Sequence, residues 1–195
     1  MNETPNKIKY GLKNVHYAKA TIAEDGSATY ETPVKWPGAV NLSMSAEGET
    51  NQFYADDVVY YTSVSNNGYS GTLESALVPE SFAEDILDEI EDAKGVMLEV
   101  VEGEPVHFAL LFEFAGDQKR MRHILYNCVA ARPDVASATK ETSIEPQTET
   151  VDLSASSIYV SSLDKNVVKA RSCSKTDATE YDNWYKAVYL PTKKE

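Results

Sequence analysis

A mainly β fold is predicted: an antiparallel β-sandwich or open barrel with one flanking α-helix. Three observations predict it. Apolar residues recur at every second position along most of the chain. The alternating runs are separated by short breaks bearing Gly, Pro, Asn and Asp, which turn antiparallel strands. Only one stretch, Ser81 to Lys94, has the spacing of an amphipathic helix. The 195 residues make one domain, 1–195, with no repeat and no linker.

Residues 1–8 are polar and Pro-interrupted and read as a loose arm. Ile8 to Ile22 reads as the first strand, with Leu12 and Val15 apolar and Gly11 at a bulge. Glu24-Asp25-Gly26-Ser27 is a turn, and Ala28 to Val34 is the return strand. Trp36-Pro37-Gly38 turns the chain again. From Ala39 to Ala46, Val40, Leu42 and Met44 point inward and Asn41, Ser43 and Ser45 outward. Glu47 to Asn51 is an open loop. Phe53 to Val64 is apolar apart from Asp56-Asp57, which marks a loop tip or keeps an exposed edge from sticking. Asn66-Asn67-Gly68 is a turn, and Tyr69 to Val78 alternates until Pro79.

The helix is expected to start at Ser81 as N-cap, with Glu84 completing a capping box. Phe82, Ile86, Leu87 and Ile90 form its apolar stripe, and Gly95 follows as the C′ residue. Ten carboxylates lie between Glu80 and Glu104 against Lys94 alone. They read as a solvated face, or as a docking surface for something basic such as the N-terminal arm of a neighbouring copy.

Val96 to Val101 is a short strand, and Gly103-Glu104-Pro105 turns into a long hairpin. Its first arm places Phe108, Leu110, Phe112 and Phe114 on one face, while Leu111 makes the other face apolar too. Ala115 to Lys119 is the break, where Gly116 can adopt φ > 0. Met121 to Ala131 is the second arm, closed by Pro133. Such a hairpin belongs at a sheet centre. Pro133 to Ser143 is a loop. Gln147 to Ala155 alternates Thr148, Thr150 and Asp152 with Val151, Leu153 and Ala155. Two short strands flank Asp164-Lys165-Asn166. Ser172 to Glu180 is a polar loop, and Tyr181 to Leu190 is a last aromatic strand before the charged tail 191–195. The expected total is about ten strands.

Net charge is −13, from 31 carboxylates against 18 Lys and Arg. This argues against a protein that grips phosphates, because that affinity comes from Lys and Arg. It is compatible with one that surrounds DNA without holding it. The N-terminus lacks a signal peptide, and no window approaches the roughly 18 apolar residues of a membrane span. Cytoplasmic synthesis and no membrane association are therefore expected. Cys128 reads as a core residue, and Cys128 and Cys173 share no metal spacing with His16, His107 or His123. His107 and His123 are expected to face each other across the hairpin. Asp56 and Asp57 point to opposite strand faces and make no acid/base pair. No phosphate-binding loop, GxSxG or HExxH is present. No catalytic residue, metal or cofactor is predicted, and the chain does not read as an enzyme.

Several stretches carry more information together than any motif alone. They are Lys9-Tyr10-Gly11-Leu12-Lys13-Asn14-Val15-His16-Tyr17-Ala18, Pro37-Gly38-Ala39-Val40, Phe53-Tyr54-Ala55-Asp56-Asp57 and Asn67-Gly68-Tyr69-Ser70-Gly71. They continue with Phe108 to Phe114, Arg122-His123-Ile124-Leu125-Tyr126-Asn127-Cys128, Ser143-Ile144-Glu145-Pro146-Gln147-Thr148, and Asn183 to Pro191. In that order and spacing the chain resembles the major tail proteins of long, flexible-tailed bacteriophages and prophages of Gram-positive bacteria. Similarity covers nearly the whole chain and is weakest over Ser156 to Lys175.

The resemblance implies a structural virion protein, made in the host cytoplasm and resident in the tail. Such subunits assemble as hexameric rings stacked into a tube, through which DNA is ejected. Implied partners are the chain itself, the tape measure, the tail terminator and the tail tip. The long hairpin is then expected to line the bore, whose wall should be net negative so that DNA slips past. Links between successive rings are expected from Met1 to Tyr10, from Glu47 to Tyr61 and from the tail that begins at Tyr181. The candidate contact residues are Lys7, Lys9, Tyr10, Glu49, Phe53, Tyr54, Asp56, Asp57, Tyr60, Tyr61, Trp184 and Tyr185. The alternative is a monomeric β-sandwich binding module, with the Tyr-rich loops as its carbohydrate- or protein-binding face.

Overall fold

The computed structural model describes residues 4–104, 106–139 and 146–193. The alternating stretches form strands β1 (Lys9–Ile22), β2 (Ala28–Tyr30), β3 (Val34–Lys35), β4 (Ala39–Glu47), β5 (Thr50–Ala55), β6 (Val58–Val64) and β7 (Gly68–Ser75). Helix α1 (Glu80–Asp85) follows, then β8 (Ile90–Glu91), β9 (Met97–Leu98), β10 (Phe108–Gly116) and β11 (Met121–Ala130). The chain continues through β12 (Glu149–Ser156), β13 (Ile158–Val160), β14 (Lys165–Val167), β15 (Lys169–Arg171) and α2 (Ala178–Asn183). The fold is mainly β, with antiparallel pairing throughout and two short helices, in agreement with the predicted class.

The main sheet has the order β2-β1-β10-β11-β12-β7-β4, with β3 added to β1 and β15 to β11. The long hairpin is therefore central, as its composition requires. Alternation along β10 feeds two cores. Phe108, Leu110 and Phe112 enter an inner core with Val15, Tyr17, Trp36, Leu73, Leu125, Val151 and Leu153. Ala109 and Leu111 enter an outer core with Ile124, Tyr126, Ile158, Val160 and Trp184. The sheet curls so that β4 approaches β1 around the inner core. Helix α1 plugs that core with Phe82, whose ring meets Trp36 at 4.3 Å, Tyr17 at 5.1 Å and Phe108 at 5.4 Å. Gly11 (φ 60°) sits at the predicted bulge, where the β1–β10 register shifts between Tyr10 and Leu12.

The structure corrects several expectations. Pro79, not Ser81, is the N-cap of α1, with no side-chain cap bond, so Ser81 and Glu84 form no capping box. The helix ends at Asp85. Carboxylates at 84, 85, 88, 89, 91 and 92 repel one another at helical spacing. Asp88 takes φ 59°, and the Asp92 carboxylate accepts the Lys94 and Val96 amides at 2.8 and 2.9 Å. The chain becomes the small β8–β9 hairpin, with Gly95 in its turn and Ile90 exposed. Val40 also points outward, because a register shift separates Ala39 from Asn41. Gly116 stays extended, paired with Lys9. Pro105 and Ser143 to Glu145 lie outside the described residues.

Tyr181 to Leu190 is not a strand. Asp177 caps α2 by accepting from the Thr179 and Glu180 amides, and the helix ends at Asn183, with Trp184 as its C-cap. His107 and His123 do not face each other: Nδ1 of His107 lies 2.6 Å from Oδ1 of Asn127, and the His123 ring stacks on Phe112 at 5.1 Å. Phe112 and His123 are register partners.

Burial first, then Arg171, Lys169 and Lys9, hold the His123 imidazole down to about 4 from 6.5. The unfolded chain takes up this proton near pH 6.5 and the folded chain only near pH 4. Stability contributed by the neutral ring is thus full above pH 6.5 and is lost as pH falls toward 4. His123→Phe keeps a stacked ring and removes the titration. In urea unfolding, its stability should gain on the order of 2–3 kcal/mol on wild type between pH 7 and pH 4.

Candidate assembly interface

The β4–β7 pair does not stop at the sheet boundary. The Ser65 amide donates to Glu49 O and the Asn67 amide to Glu47 O, both at 2.9 Å, and the Glu49 amide donates to Ser65 Oγ at 2.8 Å. The ribbon thereby continues as β5–β6, which among the described residues pairs only with itself. Its tip is Asp56-Asp57, at φ 52° and 61°, the left-handed pair of a two-residue hairpin turn that Asp tolerates. The loop-tip reading of these residues is the one the geometry adopts. Seven strand residues place the tip about 23 Å from the root.

Phe53, Tyr54, Val58, Val59, Tyr60, Tyr61 and Val64 are all exposed on this arm, Tyr60 to 74% and Val64 to 75%. Tyr60 and Tyr61 are adjacent and point to opposite faces, so both faces are apolar. A lone two-stranded ribbon is at best marginal in water, and a contiguous apolar surface of this kind marks an interaction site. The arm also lies within a chain segment of one sign: from Trp36 to Ala93 there are twelve carboxylates and no Lys or Arg.

At the N-terminus, residues 4–8 are fastened rather than loose. Asn6 Oδ1 accepts the Gln118 and Lys119 amides at 2.9 Å, Asn6 Nδ2 donates to Lys119 O, and Asp117 accepts the Lys7 amide at 2.7 Å. Lys9 Nζ lies 5.3 Å from the Phe114 ring centre, and Tyr10 is exposed. Glu49 is exposed at the arm's root. Residues 1–3 and 194–195 lie outside the described residues.

Trp184 is only 3% exposed and belongs to the outer core, so it cannot reach a neighbour. Tyr185 is half-buried and donates to Glu113 Oε2 at 3.2 Å. Both residues instead fasten the C-terminal segment to the sheet. Their anchor, Glu113, went unnoticed in the sequence. Its only signal there is one carboxylate within the apolar run Phe108 to Phe114. Glu113 is fully buried and accepts from Asn14 at 2.8 Å, Arg120 at 2.7 Å and Arg122 at 3.3 Å. The Arg122 guanidinium lies 3.8 Å from the Tyr181 ring centre and donates to the Tyr181 carbonyl. The His16 ring stacks on Tyr185 at 4.6 Å, and burial lowers its pKa. Asn14, Arg120, Arg122 and Tyr185 all donate to the Glu113 carboxylate.

The wing β12–β7–β4 turns its other face to solvent. Register aligns the rows Asn41–Glu74–Thr150, Ser43–Thr72–Asp152 and Ser45–Ser70–Ser154 on that face. These rows carry hydroxyls, an amide and carboxylates, and no cation. Elsewhere, no group of three or more potential metal ligands occurs among the described residues, and no helix there is long and apolar enough to cross a membrane. No family model matches the chain, and no curated protein is similar to it.

Removing the Glu113 carboxylate leaves Arg122 without its buried acceptor. Glu113→Ala should cost about 3 kcal/mol or more in urea unfolding. It should also red-shift Trp184 fluorescence as the C-terminal segment loosens.

Proposed function

We propose that this chain is a tail-tube subunit of a long-tailed bacteriophage or prophage, building stacked hexameric rings around a passage for DNA. The observation that carries this reading is the β5–β6 arm, a projecting ribbon with aromatic side chains on both faces and no partner within the described chain. Such a ribbon is a liability in a monomer and an asset in a ring, where each copy covers the next. The sequence resemblance supports the same reading. Tape measure, tail terminator and tail-tip proteins would be its further partners, and the virion tail its location.

The bore requires a different face from the one expected. Both faces of β10–β11 are filled by the two cores, so the long hairpin has no face left for a lumen. The polar face of the β12–β7–β4 wing suits it: hydroxyls and carboxylates without cations give DNA nothing to neutralise its phosphates.

Light scattering and negative-stain microscopy of the purified chain should show concentration-dependent rings or tubes. Replacing 49–65 by a two-residue Asn-Gly turn should give a folded monomer. A wild-type chain that stays monomeric and binds glycans would support the binding-module alternative instead. Within tubes, Ser43→Lys with Ser154→Lys should leave the assembly intact. The variant tubes should retain DNA at low salt and release it at high salt.

A further inference from the structure

The two ends of the curled sheet carry opposite charge. At one end α1 closes the inner core, with Phe82 against Phe108 at 5.4 Å and the Tyr17 hydroxyl donating to Asp85 at 2.8 Å. The β8–β9 hairpin is held at the same end. Arg132 follows the end of β11, where Cys128 faces Phe108; it donates to the Val100 carbonyl at 2.6 Å and pairs with Glu99 at 3.0 Å. Ten carboxylates lie in this segment, between Glu80 and Glu104. In their midst Ile90 and Leu98, cross-strand partners, are both exposed.

Six residues of β10, about 20 Å of strand, separate Phe108 from Phe114 at the other end. There Lys9 Nζ lies 5.3 Å from the Phe114 ring centre. Arg171 and Lys169 are the β15 register partners of His123 and Leu125, and Lys169 Nζ lies 4.2 Å from the centre of the Tyr69 ring. The rings position the two ammonium groups without cancelling their charge. Lys9, Lys169 and Arg171 are exposed, and among the described residues none of them is ion-paired with a carboxylate. All three act on His123, whose Nε2 is buried without a hydrogen-bond partner.

The carboxylates of that end are committed elsewhere. Glu113 takes up Arg120 and Arg122, Asp117 accepts the Lys7 and Ile8 amides at 2.7 and 3.4 Å, and Glu47 accepts the Ser70 hydroxyl on the opposite face of the sheet. Asp177, Glu180 and Asp182 belong to α2 and its cap, which lead into Trp184 on the outer-core face, across the sheet from the three cations. The β5–β6 arm leaves from this end and carries its Asp56-Asp57 tip about 23 Å beyond it.

We infer that the Lys9/Lys169/Arg171 end of one copy receives the α1–β8–β9 end of a second copy, with Ile90 and Leu98 at the centre of the contact and carboxylates around them. This rests on the tail-tube reading and states how successive rings would join. The two surfaces lie at opposite ends of the subunit, so the contact is heterologous and repeats along one axis, stacking copies head to tail. An apolar centre with a charged rim is the anatomy of a specific interface. Like ends repel, which fixes one direction of stacking.

Lys169→Glu with Arg171→Glu, and separately Glu84→Lys with Glu91→Lys, change exposed side chains that hold no hydrogen bond or ion pair. Each pair should leave the melting temperature unchanged and cut the mass of pelleted tubes at least tenfold, while negative-stain images still show single rings. The chain carrying all four changes again sets opposite charges end to end and should recover its tubes. Lys169→Gln with Arg171→Gln, which adds no new charge, should shorten tubes at low salt, and wild-type tubes should shorten as salt rises. Tubes of normal length in the charge-reversed and neutral variants, or no recovery in the fourfold variant, would overturn the end-to-end contact and leave the tail-tube reading standing. A wild-type chain that forms neither rings nor tubes would overturn both.

Discussion

The whole structure depends on β10 being buried on both faces. Period-two alternation sends Phe108, Leu110 and Phe112 into one core and Ala109 and Leu111 into the other. Each large side chain so buried stabilises the fold by about 1.5–3 kcal/mol. One nine-residue strand thereby organises two layers of packing. The inner layer needs a plug, which α1 supplies through Phe82 and Ile86. The outer layer needs a cover, supplied by β13 and the C-terminal segment. Glu113 closes the sequence of alternating positions at the edge of the outer core, where its carboxylate ties Arg120, Arg122, Asn14 and Tyr185 together.

That arrangement leaves the exposed apolar surface at the periphery. The central strands have no free face or edge to offer a neighbour. The free elements are those the cores do not use: the β5–β6 ribbon, the polar face of the wing, and the cleft beneath the N-terminal segment. Their charges are segregated. A long anionic stretch runs from Trp36 to Ala93, and cations gather around the β10–β11 turn and β15.

The sequence made most strands legible because their residues alternate against one buried face, as in β7 and β12, where the pattern and the register coincide. It misled where local signals were outweighed. Ser81 and Glu84 resemble a capping box, but six carboxylates at helical spacing end α1 after Asp85. Tyr181 to Leu190 has the β-favouring aromatic character of a strand, but Asp177 caps a helix that takes in Tyr181 to Asn183, and the aromatic residues beyond it pack on the sheet without strand pairing. Trp184 and Tyr185 looked like contact residues because composition does not tell a buried aromatic side chain from an exposed one.

By itself, then, the sequence determined the fold class, the central place of the 108–130 hairpin and the anionic character of the chain. These depend on spacing and local backbone preference, which are properties of neighbours along the chain. The tertiary structure alone decided that Glu113 is a buried anchor, that the long hairpin has no surface to spare, and that the β5–β6 arm takes no part in either core. Those outcomes depend on which distant residues meet, as Arg122 meets Tyr181 and Asn6 meets Lys119, and such meetings leave no period in the sequence.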